Sequence, residues 1–192
     1  MEKVPVLVTG GAGYIGSHAV LALKDAGWRV AVIDDLSNGT RGVVPDDVPF
    51  FHGSIAERVL VDSIIDECGI GAIMHFAGSI VVPESVDQPL KYYANNTLAS
   101  HSLISAAVDA GVKHILFSST AAVYGAPDRV PIVEDDPKLP INPYGASKLM
   151  TEWMLRDASA AHRFNYGALR YFNVAGADPR GRSGQMARVR PT

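Results

Sequence analysis

Thr9-Gly10-Gly11-Ala12-Gly13-Tyr14-Ile15-Gly16 is the stretch on which the fold is decided. It follows Val4-Pro5-Val6-Leu7-Val8, a β-branched run that reads as a buried strand. It opens a periodic segment from about Tyr14 to Ala26, a helix that Gly27 ends. Gly10, Gly13 and Gly16 form a G-x-x-G-x-x-G pattern. In such a pattern the first glycine permits the tight turn off the strand and the second lets the backbone approach a pyrophosphate. The third lets the helix pack on the sheet. The amide groups at the helix start, at Tyr14 and Ile15, then face the phosphates, and the helix dipole favours their charge. Alone, the pattern is an ordinary glycine-rich turn. Its context makes it specific: the next strand, Val30-Ala31-Val32-Ile33, ends at Asp34, eighteen residues past Gly16. A carboxylate there accepts from an adenosine ribose hydroxyl and repels a 2′-phosphate, which predicts NAD rather than NADP. Asp35 shares that role or is solvated.

The alternation continues outward. A short strand is expected around Phe50-Phe51, a helix over 56–67 and a strand over 72–76. A long helix is expected from Tyr92 to Ala110, closed by Gly111. A strand at 114–117, a helix from Tyr144 to about His162 and a strand at 166–171 complete the series. Strands alternating with helices predict an α/β fold: a doubly wound parallel sheet, covered on both faces, with right-handed crossovers. Residues 1–176 read as one dinucleotide-binding domain. Beyond Gly176 the composition shifts to Gly, Arg and Pro without periodicity, so 177–192 reads as the start of a second domain and a disordered tail.

Composition bounds the function. The chain has 192 residues, 47% of them hydrophobic, enough for a globular core. A net charge of −3 argues against nucleic acid or an anionic membrane as partner. No run approaches the roughly 18 apolar residues of a membrane span, and the start lacks the basic head of a signal peptide. A single cysteine, Cys68, fits a reducing compartment, and the cytoplasm is the expected location. The six histidines show no metal-like spacing, so no metal site is expected.

The candidate chemistry lies downstream. Tyr144-Gly145-Ala146-Ser147-Lys148 places a phenol and an ammonium on one helical face. An ammonium near a phenol favours the phenolate, so the spacing predicts a lowered Tyr144 pKa and a general base. A surface Tyr and Lys at helical spacing is the plain alternative. Phe117-Ser118-Ser119-Thr120 closes the fifth strand, putting hydroxyls at the carboxyl edge where ligands bind in open α/β sheets. Ser118 and Ser119 are equally readable as turn caps. Thr120 is the expected substrate-facing hydroxyl.

Taken in order, these segments resemble the extended short-chain dehydrogenase/reductase superfamily, and within it the UDP-glucose 4-epimerase family. They are Val8 to His18, Ile33-Asp34-Asp35-Leu36-Ser37-Asn38-Gly39, His75-Phe76-Ala77-Gly78, Pro83-Glu84-Ser85-Val86 and Tyr92-Tyr93-Ala94-Asn95-Asn96. Phe117 to Gly125, Asn142 to Glu152 and Leu169-Arg170-Tyr171-Phe172-Asn173 complete the set. The resemblance implies bound NAD and a 4-keto sugar intermediate. Tyr144 would take the proton of the sugar 4-hydroxyl, with Lys148 holding the phenolate and the nicotinamide ribose. Thr120 and Asn173 would reach the UDP-sugar. Leu36, Ser37, Asn38, Gly39, Ser54, Ile55, Phe76, Ala77, Gly78, Ile80, Asn95, Ser118 and Phe172 would line the cofactor. Ala121 and Ala122 cannot move a proton, which disfavours the related dehydratases.

The chain departs from the family pattern at three places. Ser54 stands where relatives carry an aspartate that contacts adenine. Ile80 stands where some carry a lysine that touches the cofactor. The family chain also continues beyond Asn173 into a sugar-binding domain, and Met186 to Thr192 does not match that continuation. The resemblance therefore implies a truncated product of very low epimerase activity. Another sugar-nucleotide dehydrogenase and a non-catalytic NAD-binding remnant are the alternatives. Met150, Trp153 and Met154 make a homodimer through helices 92–110 and 144–162 an expectation. Arg180, Arg182, Arg188 and Arg190 read as a solvated basic tail.

Overall fold

The computed structural model describes residues 3–185. The expectations for Met186 to Thr192, Arg188 and Arg190 among them, lie outside the described residues.

Six strands form one all-parallel sheet: β1 (Val6–Thr9), β2 (Val30–Asp34), β3 (Phe50–His52), β4 (Ala72–His75), β5 (His114–Ser118) and β6 (Asn165–Leu169). Their spatial order is β3-β2-β1-β4-β5-β6. β1 and β4 are neighbours, with Thr9 opposite His75. The chain winds outward in both directions from this pair, so the crevice for a ligand opens beyond the carboxyl ends of β1 and β4.

Alternating strand residues fill two cores, as the period of two requires. Leu7, Ile33, Ile73, Ile115 and Phe117 face one way. They pack on α2 (Arg58–Cys68), α5 (Ala99–Asp109) and α6 (Pro143–His162). Val6, Val8, Val30 and Val32 face the other way, with Val20 of α1 (Tyr14–Asp25). Cover on this second face is incomplete: Leu116 is half-buried and Leu169 exposed. The expected two-sided cover therefore holds around β1 and β2 but not fully over β5 and β6.

Two expected elements differ and one is added. The single helix over 92–110 is broken into α4 (Pro89–Tyr92), a π-helical turn (Tyr93–Leu98) and α5. A short helix, α3 (Val82–Asp87), precedes it, with Pro83 in its first turn. β6 ends at Leu169, two residues early.

The segment beyond Gly176 is not a disordered tail as far as it is described. Ala177 and Gly184 pair in an antiparallel bridge. The turn between them is closed by Asp178, whose Oδ2 accepts from the amides of Arg180 and Arg182 at 3.0 and 3.1 Å. This hairpin is docked on α1.

Candidate active site

The site is assembled where β1 turns into α1. The N-cap of α1 is Gly13, and no side chain caps the helix start. Helix geometry leaves the first amides without intrahelical partners, so they are available to an anion. Asp34 stands opposite, 8% exposed. Its Oδ2 accepts from the amide of Ala12 at 2.9 Å and its Oδ1 from Leu36 at 2.8 Å. Burial pushes the Asp34 carboxyl above the usual carboxylate range, against the pull of those two amides. Asp35 is not enclosed as Asp34 is. It is exposed and accepts from the amide of Ser37 at 2.9 Å, shaping the loop that carries Ser37, Asn38 and Gly39. A glycine loop without a side-chain cap, facing a fixed carboxylate, fits the diphosphate and ribose of a dinucleotide.

Around the adenine end the fit is altered. Ser54 is tied into its own turn: its amide donates to Glu57 Oε1 at 2.6 Å, and its hydroxyl accepts from Ala56 at 3.2 Å. The Ile55 side chain is buried in the main core, so any contact Ile55 makes with a cofactor would be through its backbone.

The other end lies beyond β4 and β5. Phe76, Ala77 and Gly78 are half-buried there, whereas Ile80 is 67% exposed. Asn95 is exposed and donates to Ser79 Oγ at 2.8 Å. Its neighbour Asn96 is the buried partner that sequence reasoning misses. It accepts from the Ser79 amide at 2.7 Å and donates to the Ser79 carbonyl and to Ser147 Oγ, both at 3.0 Å. The π-helical turn carries Asn96 inward and ties the loop after β4 to α6.

Tyr144 and Lys148 occupy the first two turns of α6. Asn142 caps the helix by accepting from the Gly145 amide at 2.8 Å. Pro143 follows at its first position, which suits proline. A side chain at Gly145 would come within 2.6 Å of the Ala122 carbonyl oxygen, so glycine is what lets α6 approach the turn after β5. That approach brings Thr120 to Tyr144. The Thr120 hydroxyl accepts from the Ala122 amide at 3.1 Å and hydrogen-bonds the Tyr144 phenol. Lys148 is 3% exposed. Its Nζ donates to the Ser118 carbonyl at 3.1 Å and lies 5.0 Å from the centre of the Phe117 ring.

The expected lowering of the Tyr144 pKa is corrected by this arrangement. Burial pushes the phenol up, and the bond from Thr120 only opposes it. Burial also pulls the Lys148 ammonium down to about 8. The general base is thus not preformed as a phenolate beside an ammonium.

Beneath the pair lies a polar brace built from residues outside the expected site. Glu152, one turn after Lys148, accepts from Arg170 Nη2 at 2.6 Å and from Arg170 Nε at 2.9 and 3.1 Å. It also accepts from the buried Ser119 hydroxyl. Arg170 continues to the Tyr124 hydroxyl at 2.8 Å. The Ser118 hydroxyl bonds the Tyr171 phenol, so Ser118 faces a structural partner. Phe172 and Asn173 are exposed, Phe172 by 71%. They stand on the segment that leaves β6, apart from Tyr144 in hydrogen bonding.

A family model described as the NAD dependent epimerase/dehydratase family matches residues 6–191. The chain belongs to this family. It is 61% identical over 184 residues to a UDP-glucose 4-epimerase of Azospirillum brasilense, covering 96% of this chain and 53% of that protein. It superposes on the UDP-glucose 4-epimerase of Brucella ovis in complex with NAD, with a TM-score of 0.94 and 40% identity. That match covers 98% of this chain and 58% of the solved one. The Bifidobacterium longum enzyme in complex with NAD+ and UDP gives a TM-score of 0.90 at 37% identity, over 94% and 57%. The chain spans about half the length of the relatives it matches. The fold match confirms the Rossmann-like, doubly wound class.

Among the described residues no cluster of His, Cys, Asp or Glu could hold a metal ion. No described helix is long and apolar enough to cross a membrane.

Proposed function

We propose that this chain is the NAD-binding and proton-transfer half of a UDP-sugar 4-epimerase. The observation that carries the reading is Asp34 bonded across to the uncapped glycine turn, with Tyr144, Thr120 and Lys148 at the other end of the same sheet edge. Bound NAD would supply a hydride acceptor and return the hydride to the sugar C4. The amides at the start of α1 would hold the diphosphate and Asp34 the adenosine ribose. Tyr144 would receive the proton of the sugar 4-hydroxyl at its phenol oxygen. Thr120, already bonded to that oxygen, would hold the substrate oxygen beside it. Lys148, whose Nζ donates to the Ser118 carbonyl, would stabilise the phenolate, and excluding water makes that charge pairing stronger. The UDP-sugar relatives and the Ala121-Ala122 pair favour epimerisation over dehydration. Asn173, exposed on the segment that leaves β6, would reach the UDP-sugar. The chain spans about half the length of the epimerases it matches, so activity of these 192 residues alone is expected to be very low.

Calorimetric titration with NAD tests the reading. The wild-type chain should bind NAD saturably and NADP far more weakly. Asp34→Asn should weaken NAD roughly tenfold, the difference between a charge-assisted and a neutral hydrogen bond. A folded wild-type chain that takes up no NAD would overturn the reading.

We also infer a homodimer. Trp153 is 47% exposed on α6, between two grooves. The larger, about 600 Å³, runs between α5 and α6 and is lined by His101, Ile104, Met150, Trp153 and Met154. An apolar face of this kind is what a second copy would cover. Sedimentation should give a dimer mass, and Trp153→Glu should give a monomer. Cys68 is a free thiol, which supports a reducing, cytoplasmic setting.

A further inference from the structure

The segment that leaves β6 is fixed at two distant points. At one end, the Tyr171 carbonyl accepts from the Ala121 amide at 3.0 Å, beyond β5. At the other end, the Gly176 carbonyl accepts from the Tyr14 hydroxyl at 2.7 Å, at the start of α1. β5 and β1 are separated by β4 in the sheet. Two strand spacings are about 10 Å, and the residues between the anchors span this distance past β4, the strand that leads into Phe76-Ala77-Gly78. Beyond that strand is the crevice in which a dinucleotide would lie between the glycine turn and Tyr144.

A hairpin from Ala177 to Gly184 holds this strap down. It lies along α1 and is attached at both ends of that helix. Ser183 Oγ bonds Ser17 Oγ at 2.6 Å, both side chains being buried. Arg182 donates to both carboxylate oxygens of Asp25, the last residue of α1, at 2.9 and 2.8 Å. The same guanidinium donates to Asp178 at 2.7 and 3.0 Å, and Arg180 adds a longer pair to Asp25 at 3.6 Å. Isolated surface pairs contribute little, but one Arg shared in fork geometry between two carboxylates is the case in which they do.

We propose that this hairpin is a clasp that retains the dinucleotide, with Arg182 and Asp25 as positioning residues that pin the strap 172–176 across the cofactor crevice. The inference rests on the NAD reading above. Asp25 lies eleven residues beyond Tyr14, about 16 Å along the helix, so it cannot touch a cofactor at the glycine turn. An effect shared by Asp25→Asn and Arg182→Gln, the two sides of the pair, is therefore read through the clasp. Dissociation then requires the hairpin to open first, and salt should speed it by screening the carboxylate pairs.

The test combines two readouts on wild type, Asp25→Asn, Arg182→Gln and the control Asp62→Asn, which breaks only the Arg58 pair on α2. Hydrogen exchange on the cofactor-free chain reads the amides of residues 13–17. Stopped-flow displacement reads NAD release. Both clasp variants should exchange those amides and release NAD about fivefold faster than wild type, the loss of one good ion pair, while the control matches wild type. Unchanged exchange in both variants overturns the clasp, whether or not NAD binds. Faster exchange with unchanged release overturns the retaining role and leaves a packing contact. A wild-type chain without NAD binding overturns the functional reading instead, before any variant is compared.

Discussion

Gly16→Ala is expected to abolish measurable NAD binding and to lower stability by about 3 kcal/mol, the upper end of what overpacking costs. A Cβ at Gly16 would sit 2.1 Å from the Gly10 carbonyl oxygen, 2.8 Å from its carbon and 2.9 Å from the Gly11 Cα. None of these is the tip of a flexible side chain. The Gly10 amide is bonded to the Ile33 carbonyl at 2.9 Å, and its carbonyl accepts from Gly13 at 3.0 Å. The loop is therefore tied to the sheet and cannot yield. The strain can only be relieved by moving α1 outward, which swings away the first-turn amides that would meet the diphosphate. An affinity loss of at least about 100-fold corresponds to the strain energy that binding would have to overcome. Gly42→Ala serves as the control, since a Cβ there meets nothing within 4 Å. Chemical denaturation and calorimetry on both variants check the result. Wild-type NAD affinity in Gly16→Ala would mean that the amides of this turn do not hold the phosphates.

That turn is legible in the sequence because backbone chemistry dictates it: strand, three glycines at fixed spacing, helix, then a carboxylate at the end of the next strand. Asp34 is where the spacing puts it. The start of α6 is legible to within one residue, expected at Tyr144 and found at Pro143. What cannot be read is what tertiary contacts decide. Residues 92–110 carry an unbroken helical pattern, yet the chain widens into a π turn at Tyr93–Leu98. Asn96, bonded to Ser79 and Ser147, is satisfied only in that register. Nothing in the local spacing distinguishes it from Asn95. The Glu152–Arg170 brace joins residues eighteen positions apart, beyond the reach of any helical or strand period. Both residues stand within segments that resemble the family, but their pairing is a property of how α6 crosses β6. The hairpin after Gly176 escapes a sequence reading for a related reason. Its order comes from the Asp178 carboxylate capping its own turn and from a salt link to α1, neither of which leaves a periodic trace.

Replacing Lys148 with methionine should raise the stability of the cofactor-free chain at pH 7 by about 2 kcal/mol while removing its capacity for proton transfer. Lys148 is fully enclosed, and burial brings its ammonium down from 10.5 to about 8. A shift of that size corresponds to about 3 kcal/mol of unfavourable charge burial at neutral pH. Methionine relieves it and keeps the volume, but forfeits the hydrogen bond to the Ser118 carbonyl, worth about 1 kcal/mol. The pH dependence has a definite sign. Between about 8 and 10.5 the unfolded chain still holds the lysine proton and the folded chain has lost it. Raising the pH through this window therefore stabilises wild type relative to its unfolded state. The advantage of Lys148→Met should shrink over the same window and vanish near its upper end. Urea denaturation of both chains at pH 7 and pH 10 measures this directly. A methionine variant less stable than wild type at pH 7 would show that the ammonium is already compensated in the fold. The expected result places the cost of the charged lysine in the empty fold and its compensation in the loaded site. There the phenolate of Tyr144 would give the ammonium the partner that Ser118 only stands in for.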